Sequence, residues 1–507
     1  MTDRRGYFTA DQVRAAEAEL FARVPAGMPM RRAAYGLATV VAEELRARTG
    51  GIAGRKVGLL VGSGDNGGDA LWAGAFLRRR GVAVVAVLLN PERAHREGLA
   101  ALRAAGGRVV DGQGATVGGR AARSGAVDGQ ATSIDVVGRL GETDLVLDGI
   151  VGISGRGSLR PRAAEIVGAL RVPIVAVDLP SGVDPDTGAV DGPAVRADVT
   201  VTFGAYKPVH VLAAPQCGRI ILVPIGLRLP EPDLVQWEPA AIGASWPVPG
   251  AADDKYSQGV VGVCAGSAKY PGAGVLCAGA AVAATSGLVR YVGDDDEVLA
   301  RFPEVIASKT VAEAGRVQAW VFGPGAGTDG AARDRLAEVL ASDLPVLVDA
   351  DGLTLLAEEP RLVRNRTAPT VLTPHAGEFA RLTGAAPGAD RVAAVRRLAE
   401  DWQLTVLLKG RATIIASPGA PTAVNEAGGS WAATAGAGDV LSGISGALLA
   451  AGRSPAWAAA AAARVHALAA NLAAYDDQPA AAPVSASPLL GHIRPAIRVV
   501  REMGDQR

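Results

Sequence analysis

Short runs of Val, Leu and Ile recur along this chain, several closing on a Gly- or Asp-led loop, with helical stretches between them. In the first part the runs fall at 56–61, 82–89, 144–147, 174–177, 199–203 and 218–223. Apolar runs without alternation are the mark of strands covered on both faces, which a parallel sheet requires. Thr9-x-x-Gln12 has capping-box spacing and opens a helix toward Arg23; helical patterns follow over 30–48 and 70–80. Strands alternating with helices predict an α/β domain ending near Ile225. A Gly-, Ala- and Ser-rich insertion at 111–135 has no period and reads as a surface loop. The stretch 230–254, rich in Pro, Ala and Trp, reads as a linker. The pattern then restarts, with strands at 260–264, 317–321, 345–348, 370–372 and 406–408 and helices at 331–340, 391–402 and 440–449. The expected organisation is two three-layer αβα domains, 1–225 and 251–507, joined by a linker at 226–250. The two halves are not obvious repeats.

Composition narrows the function classes. The 507 residues are 49% apolar and 20% charged, which supports large cores and excludes global disorder. Net charge is zero, which argues against a general nucleic-acid or membrane-surface binder. Cys217, Cys264 and Cys277 form no CxxC pair, and the five histidines form no HExxH. Residues 1–20 carry charge and no apolar run, unlike a secretory signal. The uncharged stretch between Lys269 and Arg290 is mostly Ala and Gly and reads as a buried helix, not a membrane span. The expected location is the cytoplasm. Only six lysines, at 56, 207, 255, 269, 309 and 409, stand among 51 basic residues. Where charge alone is needed arginine could replace them, so each one that falls in a motif is of interest.

Three loops of the first half follow strands. Gly62-Ser-Gly64-Asp65-Asn66-Gly67-Gly68-Asp69 contains GxGxxG, which allows close phosphate approach to a helix N-terminus. The next strand ends Leu88-Leu89-Asn90, without the ribose-binding acid of an ordinary NAD dehydrogenase, and Asp65, Asn66 and Asp69 suit a hard cation or polar ligand instead. Asp148-Gly-Ile-Val-Gly152-Ile153-Ser154-Gly155-Arg156-Gly157-Ser158 and Asp178-Leu-Pro-Ser181-Gly-Val-Asp184 each begin with a carboxylate at a strand end, where doubly wound folds place ligands.

With Thr202-Phe-Gly-Ala-Tyr-Lys207-Pro208, these loops resemble the NAD(P)H-hydrate epimerase family, whose domain is Rossmann-like. The resemblance covers most of 1–225. It implies that Asp65, Asn66, Gly67, Gly68, Asp69, Gly152, Ile153, Ser154, Gly155, Arg156, Gly157 and Ser158 hold the hydrated dinucleotide. It implies K⁺ on Asn66, Asp148 and Ser181, and Asp178 as acid/base at the epimerised carbon. Asp65, Ala70 and Ile153-Ser154 depart from the family's pattern, where Asn, Gly and Thr-Gly are usual; Asp65 adds a negative charge beside the implied cation.

In the second half, Thr434-Ala-Gly436-Ala437-Gly438-Asp439 precedes an apolar helix. Small residues there let backbone N–H groups meet an anion, and Asp439 can accept a hydroxyl proton as phosphate is transferred to its oxygen. Lys409-Gly410-Arg411-Ala412-Thr413 offers a cation, a turn and a hydroxyl to nucleotide phosphates. Thr373-Pro-His375-Ala-Gly-Glu378 and Gly323-Pro-Gly325-Ala-Gly327 follow other strands.

Together with Asp254-Lys255-x-x-x-Gly259, Gly266-Ser267, Tyr270-Pro-Gly-Ala273 and Asp349-Ala-Asp-Gly-Leu353, these segments resemble, in order, the NAD(P)H-hydrate dehydratase branch of the ribokinase-like superfamily. The resemblance implies a ribokinase-like fold over about 250–500. It implies hydrate contacts from Ala273, Gly325, Gly327, His375 and Asp439, and adenine-nucleotide contacts from Lys409, Gly410, Arg411, Ala412, Thr413 and Gly438. It implies ADP or ATP as co-substrate with Mg²⁺, and Asp439 as base for phosphorylation of the ring hydroxyl followed by loss of phosphate. The expected partners are the NADH and NADPH hydrates and ADP, with no nucleic acid and no membrane, in a homo-oligomer. A ribokinase-like small-molecule kinase with an accessory binding domain shares the phosphate loops; the match from Tyr270 through His375 favours the dehydratase. A first domain that only binds a partner is the third reading.

Overall fold

The computed structural model describes residues 3–112, 133–293, 296–364 and 366–506. Its chain divides into two compact units, Tyr7–Pro232 and Met1–Gly6 with Asp233–Arg507.

The first unit is a seven-stranded, all-parallel sheet. Its strands run in the spatial order Arg108–Asp111, Ala83–Leu88, Lys56–Val61, Leu145–Gly149, Ile174–Val177, Val199–Phe203, Arg219–Val223. Alternate side chains of Lys56–Val61 enter two separate cores. Val57, Leu59 and Val61 join the helices Met28–Thr49 and Asp65–Arg79, whereas Leu60 joins the side of the helix Pro161–Ala169. The three-layer expectation therefore holds here. The chain order reverses between Lys56–Val61 and Leu145–Gly149, a switch point where open α/β sheets leave a crevice. The helix expected over 70–80 begins earlier, at Asp65, so most of the Gly-rich loop is a helical first turn. Gly62 and Gly67 allow this tight entry. A Cβ on Gly62 would lie 1.9 Å from the Ile150 carbonyl oxygen, and one on Gly67 2.5 Å from that of Gly62. Of the expected surface insertion, residues 113–132 lie outside the described residues.

The second unit is an eleven-stranded mixed sheet. Ile306–Ser308, Leu288–Val292, Val260–Cys264, Ala319–Phe322, Val346–Val348, Thr370–Leu372 and Thr405–Leu408 run parallel in that order. Ala412–Ala416 and Thr422–Glu426 continue it antiparallel. The reversal here falls between Val260–Cys264 and Ala319–Phe322. One face packs on the helices Pro271–Ala284, Ala437–Ala450 and Pro455–Tyr475. Glycines set how closely these helices approach: a Cβ on Gly443 would lie 2.2 Å from the Cys277 carbonyl oxygen. The uncharged stretch between Lys269 and Arg290 is thus a buried helix and the start of the next strand. Among the described residues no helix is long and apolar enough to cross a membrane.

The linker expected at 226–250 is a correction. It contains the strand Leu234–Trp237, paired with Thr422–Glu426, and the helix Pro239–Ala244. That helix meets the helix Ile493–Asp505 through glycine: a Cβ on Gly243 would lie 1.8 Å from the Val500 carbonyl oxygen. A contact built on small residues leaves no apolar period to read. The other edge strand, Arg4–Tyr7, lies beside Leu234–Trp237, with Arg5 paired to Glu238 at 3.0 Å and Arg4 stacked over Trp237. The first residues therefore complete the sheet of the second unit rather than opening the first domain.

Candidate active sites

The first site lies at the switch point of the seven-stranded sheet. Asp148 ends a central strand and is fully buried. Its Oδ2 accepts from the Ser181 backbone N–H at 2.8 Å and its Oδ1 from the Ser181 hydroxyl at 2.7 Å. Among the described residues no lysine or arginine pairs with it, and burial raises its pKa to about 6 against those hydrogen bonds. Asn66 Nδ2 donates to the carbonyl oxygens of Val177 and Val151. Its Oδ1 turns to Gly152, where a Cβ would lie 2.4 Å away, so only glycine fits there. An amide oxygen, a hydroxyl and one buried, uncompensated carboxylate fit a monovalent cation bound through oxygen. The structure brings the three expected ligands together.

Asp178 lies one strand further on and has φ 71°. The Leu179 N–H bonds the Val177 carbonyl at 2.9 Å, which makes Asp178 the centre of a γ-turn. Its Oδ1 accepts from Lys207 Nζ at 2.5 Å, Thr202 Oγ1 at 3.0 Å and the Phe203 N–H at 3.3 Å. Lys207 is 1% exposed and also donates to Thr202 Oγ1 at 2.9 Å. Asp65 is exposed at the first turn of its helix, where the helix dipole favours it. Asp69, one turn on, is buried with Oδ1 unpartnered, and burial first, then Asp178, Asp65 and Glu17, hold its pKa well above the usual range. With Glu17, Arg31, Trp72 and His95 these two carboxylates line a cleft of about 520 Å³. Burial, then Asp178, raises Glu17 to about 7. In the 152–158 loop Ile153 turns into apolar packing, Ser154 and Gly157–Ser158 are exposed, and Arg156 reaches Asp186 at 3.4 Å. Gly155 has no room for a side chain, its Cβ position lying 1.8 Å from Val151 Cγ1.

Sequence reasoning assigned no role to Glu17 or His210, and none to Lys207 beyond its motif. Glu17 interrupts the inward stripe Val13, Ala16, Leu20, which is a readable signal. His210 has none, because its partner Asp178 is 32 residues away.

The second site gathers at the strand ends of the larger sheet. Gly436 at φ 84° caps the helix Ala437–Ala450, and Asp439 lies in its first turn. Burial and then the Asp349 carboxylate raise Asp439 to about 7, against the pull of Lys409. Lys409 Nζ lies 2.7 Å from Asp349 Oδ1 and 3.4 Å from Glu378 Oε2. Burial alone would lower Lys409; the two carboxylates outweigh it and hold its pKa up. Ser442 Oγ donates to Asp349 Oδ2 at 2.8 Å. A cavity of about 210 Å³ is lined by Lys409, Gly410, Arg411, Thr413, Gly438 and His466, among others. Ala412 is not among its lining residues, since strand alternation turns it to the other face from Thr413. Arg411 reaches Glu426 at 2.8 Å, and Thr413 Oγ1 donates to the Gly410 carbonyl at 2.9 Å. Ala273 and Gly325 adjoin: a Cβ on Gly325 would lie 2.8 Å from that of Ala273. Gly327 N–H donates to Asp351 Oδ2 at 3.0 Å. His375 caps the helix Ala376–Thr383, with Nδ1 accepting from Gly377 N–H at 2.9 Å, and its side chain is exposed beyond that cap. Among the described residues no group of three His, Cys, Asp or Glu could hold a metal ion. These residues form no protein-only magnesium cage.

Residues 27–209 match the model of the YjeF-related protein N-terminus and residues 261–490 that of NAD(P)H-hydrate dehydratase. The chain is 58% identical over 497 residues to the bifunctional NAD(P)H-hydrate repair enzyme of Mycobacterium leprae, covering 97% of this chain and 99% of the relative. It is 38% identical to the enzyme of the same name from Corynebacterium glutamicum, covering 87% of each. The crystal structure of the ADP/ATP-dependent NAD(P)H-hydrate dehydratase of Bacillus subtilis, co-crystallised with ATP and Mg²⁺, is similar at 25% identity and TM-score 0.47, over 52% of this chain and 98% of that one. By its match to these relatives over nearly its whole length, the chain belongs to the family of bifunctional NAD(P)H-hydrate repair enzymes.

Proposed function

We propose that the second unit dehydrates hydrated NADH or NADPH at the expense of ADP or ATP, with Asp439 as base, and that the first unit interconverts the two hydrate epimers at Asp178. The observation that carries the first assignment is the raised Asp439 carboxyl at a helix start, beside the buried Lys409–Asp349 pair. Hydration leaves a hydroxyl on the ring carbon next to the nitrogen. Asp439 takes the proton of the ring hydroxyl as the hydroxyl oxygen attacks the terminal phosphorus; the bond from that phosphorus to the bridging oxygen breaks and releases AMP from ADP, or ADP from ATP, while Lys409 and the helix N–H groups face the phosphate charge. The phosphorylated oxygen then leaves with its bonding pair, pushed by the ring nitrogen. Loss of a proton from the neighbouring carbon restores the double bond. Magnesium keeps most of its waters and is bound through phosphates and one or two carboxylates, which suits an ion arriving on the nucleotide.

In the first unit the epimerised carbon is a carbinolamine carbon. Asp178 accepts the hydroxyl proton as the carbon–nitrogen bond opens to an aldehyde and the nitrogen takes up a proton. Rotation and closure on the other face reverse those transfers. Lys207 holds Oδ1 of Asp178 in place. Asn66, Asp148 and Ser181 would hold a potassium ion, which would supply positive charge to the loops around the substrate. Fusing the units makes chemical sense, because one supplies the epimer that the other consumes.

The test incubates the purified chain with hydrated NADH, ADP and Mg²⁺ and follows the reduced-nicotinamide absorbance. Full recovery from an epimer mixture is expected. No recovery with ADP or ATP overturns the dehydratase reading, and recovery that stops at the share of one epimer overturns the epimerase reading.

A further inference from the structure

We propose that His210 is a positioning residue of the epimerisation site, clamping the backbones of Asp178 and Lys207 in one frame; the inference rests on the epimerase reading above. His210 is 2% exposed and both its ring nitrogens are engaged. The Lys207 backbone N–H donates to Nδ1 at 2.9 Å, and Nε2 lies 2.9 Å from the Asp178 carbonyl oxygen. An amide N–H can only donate, so Nδ1 presents a lone pair. A carbonyl can only accept, so Nε2 carries the proton. The ring is therefore the neutral Nε2–H tautomer. Burial, and then the Lys207 ammonium, push its pKa down to about 4, so it remains neutral across the physiological range.

The reason for a clamp is Asp178 itself. A γ-turn with positive φ at a non-glycine residue is strained and persists only where its surroundings enforce it. The Asp178 N–H is fixed by the Val201 carbonyl at 2.8 Å, and its own carbonyl is fixed by His210. If that carbonyl is released, the peptide can rotate and swing the carboxylate away from Lys207. The same ring holds the other end, because the Lys207 N–H it accepts belongs to the residue whose Nζ meets Asp178 Oδ1 at 2.5 Å. One imidazole thus fixes both main-chain positions from which the proton-handling side chains extend. Tyr206 packs edge-on against it at 6.4 Å between ring centres.

The test uses the full chain with His210→Gln, His210→Asn and His210→Phe, pure R hydrate as substrate, and S-hydrate dehydration by the same molecules as internal control. Gln places an N–H near the Nε2 position and can still serve the Asp178 carbonyl. Asn keeps an oxygen near Nδ1 and loses that carbonyl, and Phe loses both. A misplacement of about 1 Å costs about a hundredfold in rate, so kcat for epimerisation should fall about that far in Asn and Phe, stay within about tenfold of wild type in Gln, and leave KM unchanged. S-hydrate dehydration should be unchanged throughout. Imidazole ¹⁵N spectra in neutral buffer should show an Nε2-protonated neutral ring that disappears in His210→Gln, which decides the tautomer even if the Phe variant does not fold. Wild-type kcat in His210→Phe, a Gln variant no better than Phe, a loss confined to KM, or a charged ring overturns the role. A wild-type chain that leaves the R hydrate untouched overturns the epimerase reading itself and this role with it.

Discussion

Lys409 Nζ lies 2.7 Å from Asp349 Oδ1, and a Cβ built on Gly438 would sit 3.4 Å from the same nitrogen. An ion pair whose carboxylate is fully buried therefore borders the first turn of the helix that carries Asp439. An ammonium fits between Asp349 and Glu378; a planar guanidinium needs more room and a different fork. Lys409→Arg should raise the KM for ADP by about tenfold, the cost of roughly one misplaced charged hydrogen bond. Lys409→Met should be worse, because it leaves Asp349 buried without a counter-charge. Unfolding of the C-terminal unit in urea should then lose about 3–5 kcal/mol. A Lys409→Met chain as stable as wild type would show that the pair is not a desolvated one.

Gly438→Ala separates nucleotide binding from stability. Alanine near a helix start is neutral or favourable for the helix, by up to about 1 kcal/mol over glycine. Its methyl would nonetheless project toward Lys409 and into the 210 Å³ cavity that Gly438 lines. The melting temperature should hold or rise while the KM for ADP increases severalfold. A lower melting temperature with unchanged KM would place Gly438 in packing instead.

Asp439→Asn should fold normally and lose dehydration by about 10²–10⁴-fold, the contribution of a positioned base. The pH profile carries the sharper test. Burial and Asp349 raise the Asp439 carboxyl to about 7, so it becomes protonated as pH falls through neutrality and a protonated base accepts nothing. Wild-type kcat/KM should fall below about pH 7 with unit slope, and the residual rate of the Asn variant should lack that limb. An acid limb that survives in the Asn variant assigns the titration to another group.

The parallel cores of both units were legible because their strands are buried on both faces and so spell continuous apolar runs, as at Lys56–Val61, Ile174–Val177 and Val260–Cys264. Leu234–Trp237 was not, since half of it is only partly buried and its neighbourhood is proline-rich. Arg4–Tyr7 became a strand through an edge pairing with the distant Leu234–Trp237, which no local pattern reports. Ser181 came with the family resemblance, whereas the strand-and-loop pattern put Asp148, Asp178, Lys409 and Asp439 forward because each ends or follows a strand or opens a helix. It could not find His210, whose role is to complete hydrogen bonds set by two distant backbones, nor the Lys409–Asp349 pair, whose members lie on different strands.

Asp178→Ala should leave S-hydrate dehydration at the wild-type rate while R-hydrate consumption slows to the uncatalysed exchange between epimers. The variant also leaves Lys207 buried without its partner, so the N-terminal unit should lose about 3–5 kcal/mol of stability. Asp178→Asn keeps an oxygen for Lys207 but not the counter-charge, and should recover part of the stability without recovering the rate. Equal R-hydrate rates in wild type and Asp178→Ala would remove Asp178 from the chemistry.

The Asp148 site predicts a cation effect that needs no substrate. Asp148 is fully buried with hydrogen-bond donors but, among the described residues, no cationic side chain, so a bound K⁺ would supply the missing charge. A ligand that binds only the folded state stabilises it by about 2.7 kcal/mol at a concentration a hundredfold above its Kd. Replacing choline chloride with potassium chloride at equal ionic strength should therefore raise one thermal transition of the full chain and leave the other in place. Screening would act on both, which is why ionic strength is held fixed. Asp148→Asn removes the charge that attracts the ion while keeping an oxygen for Ser181. It should abolish the potassium-dependent shift, and it should not itself destabilise strongly, because it also removes an uncompensated buried charge. A shift of the same size in Asp148→Asn, or no shift in wild type, would mean that Asn66, Asp148 and Ser181 do not form a potassium site.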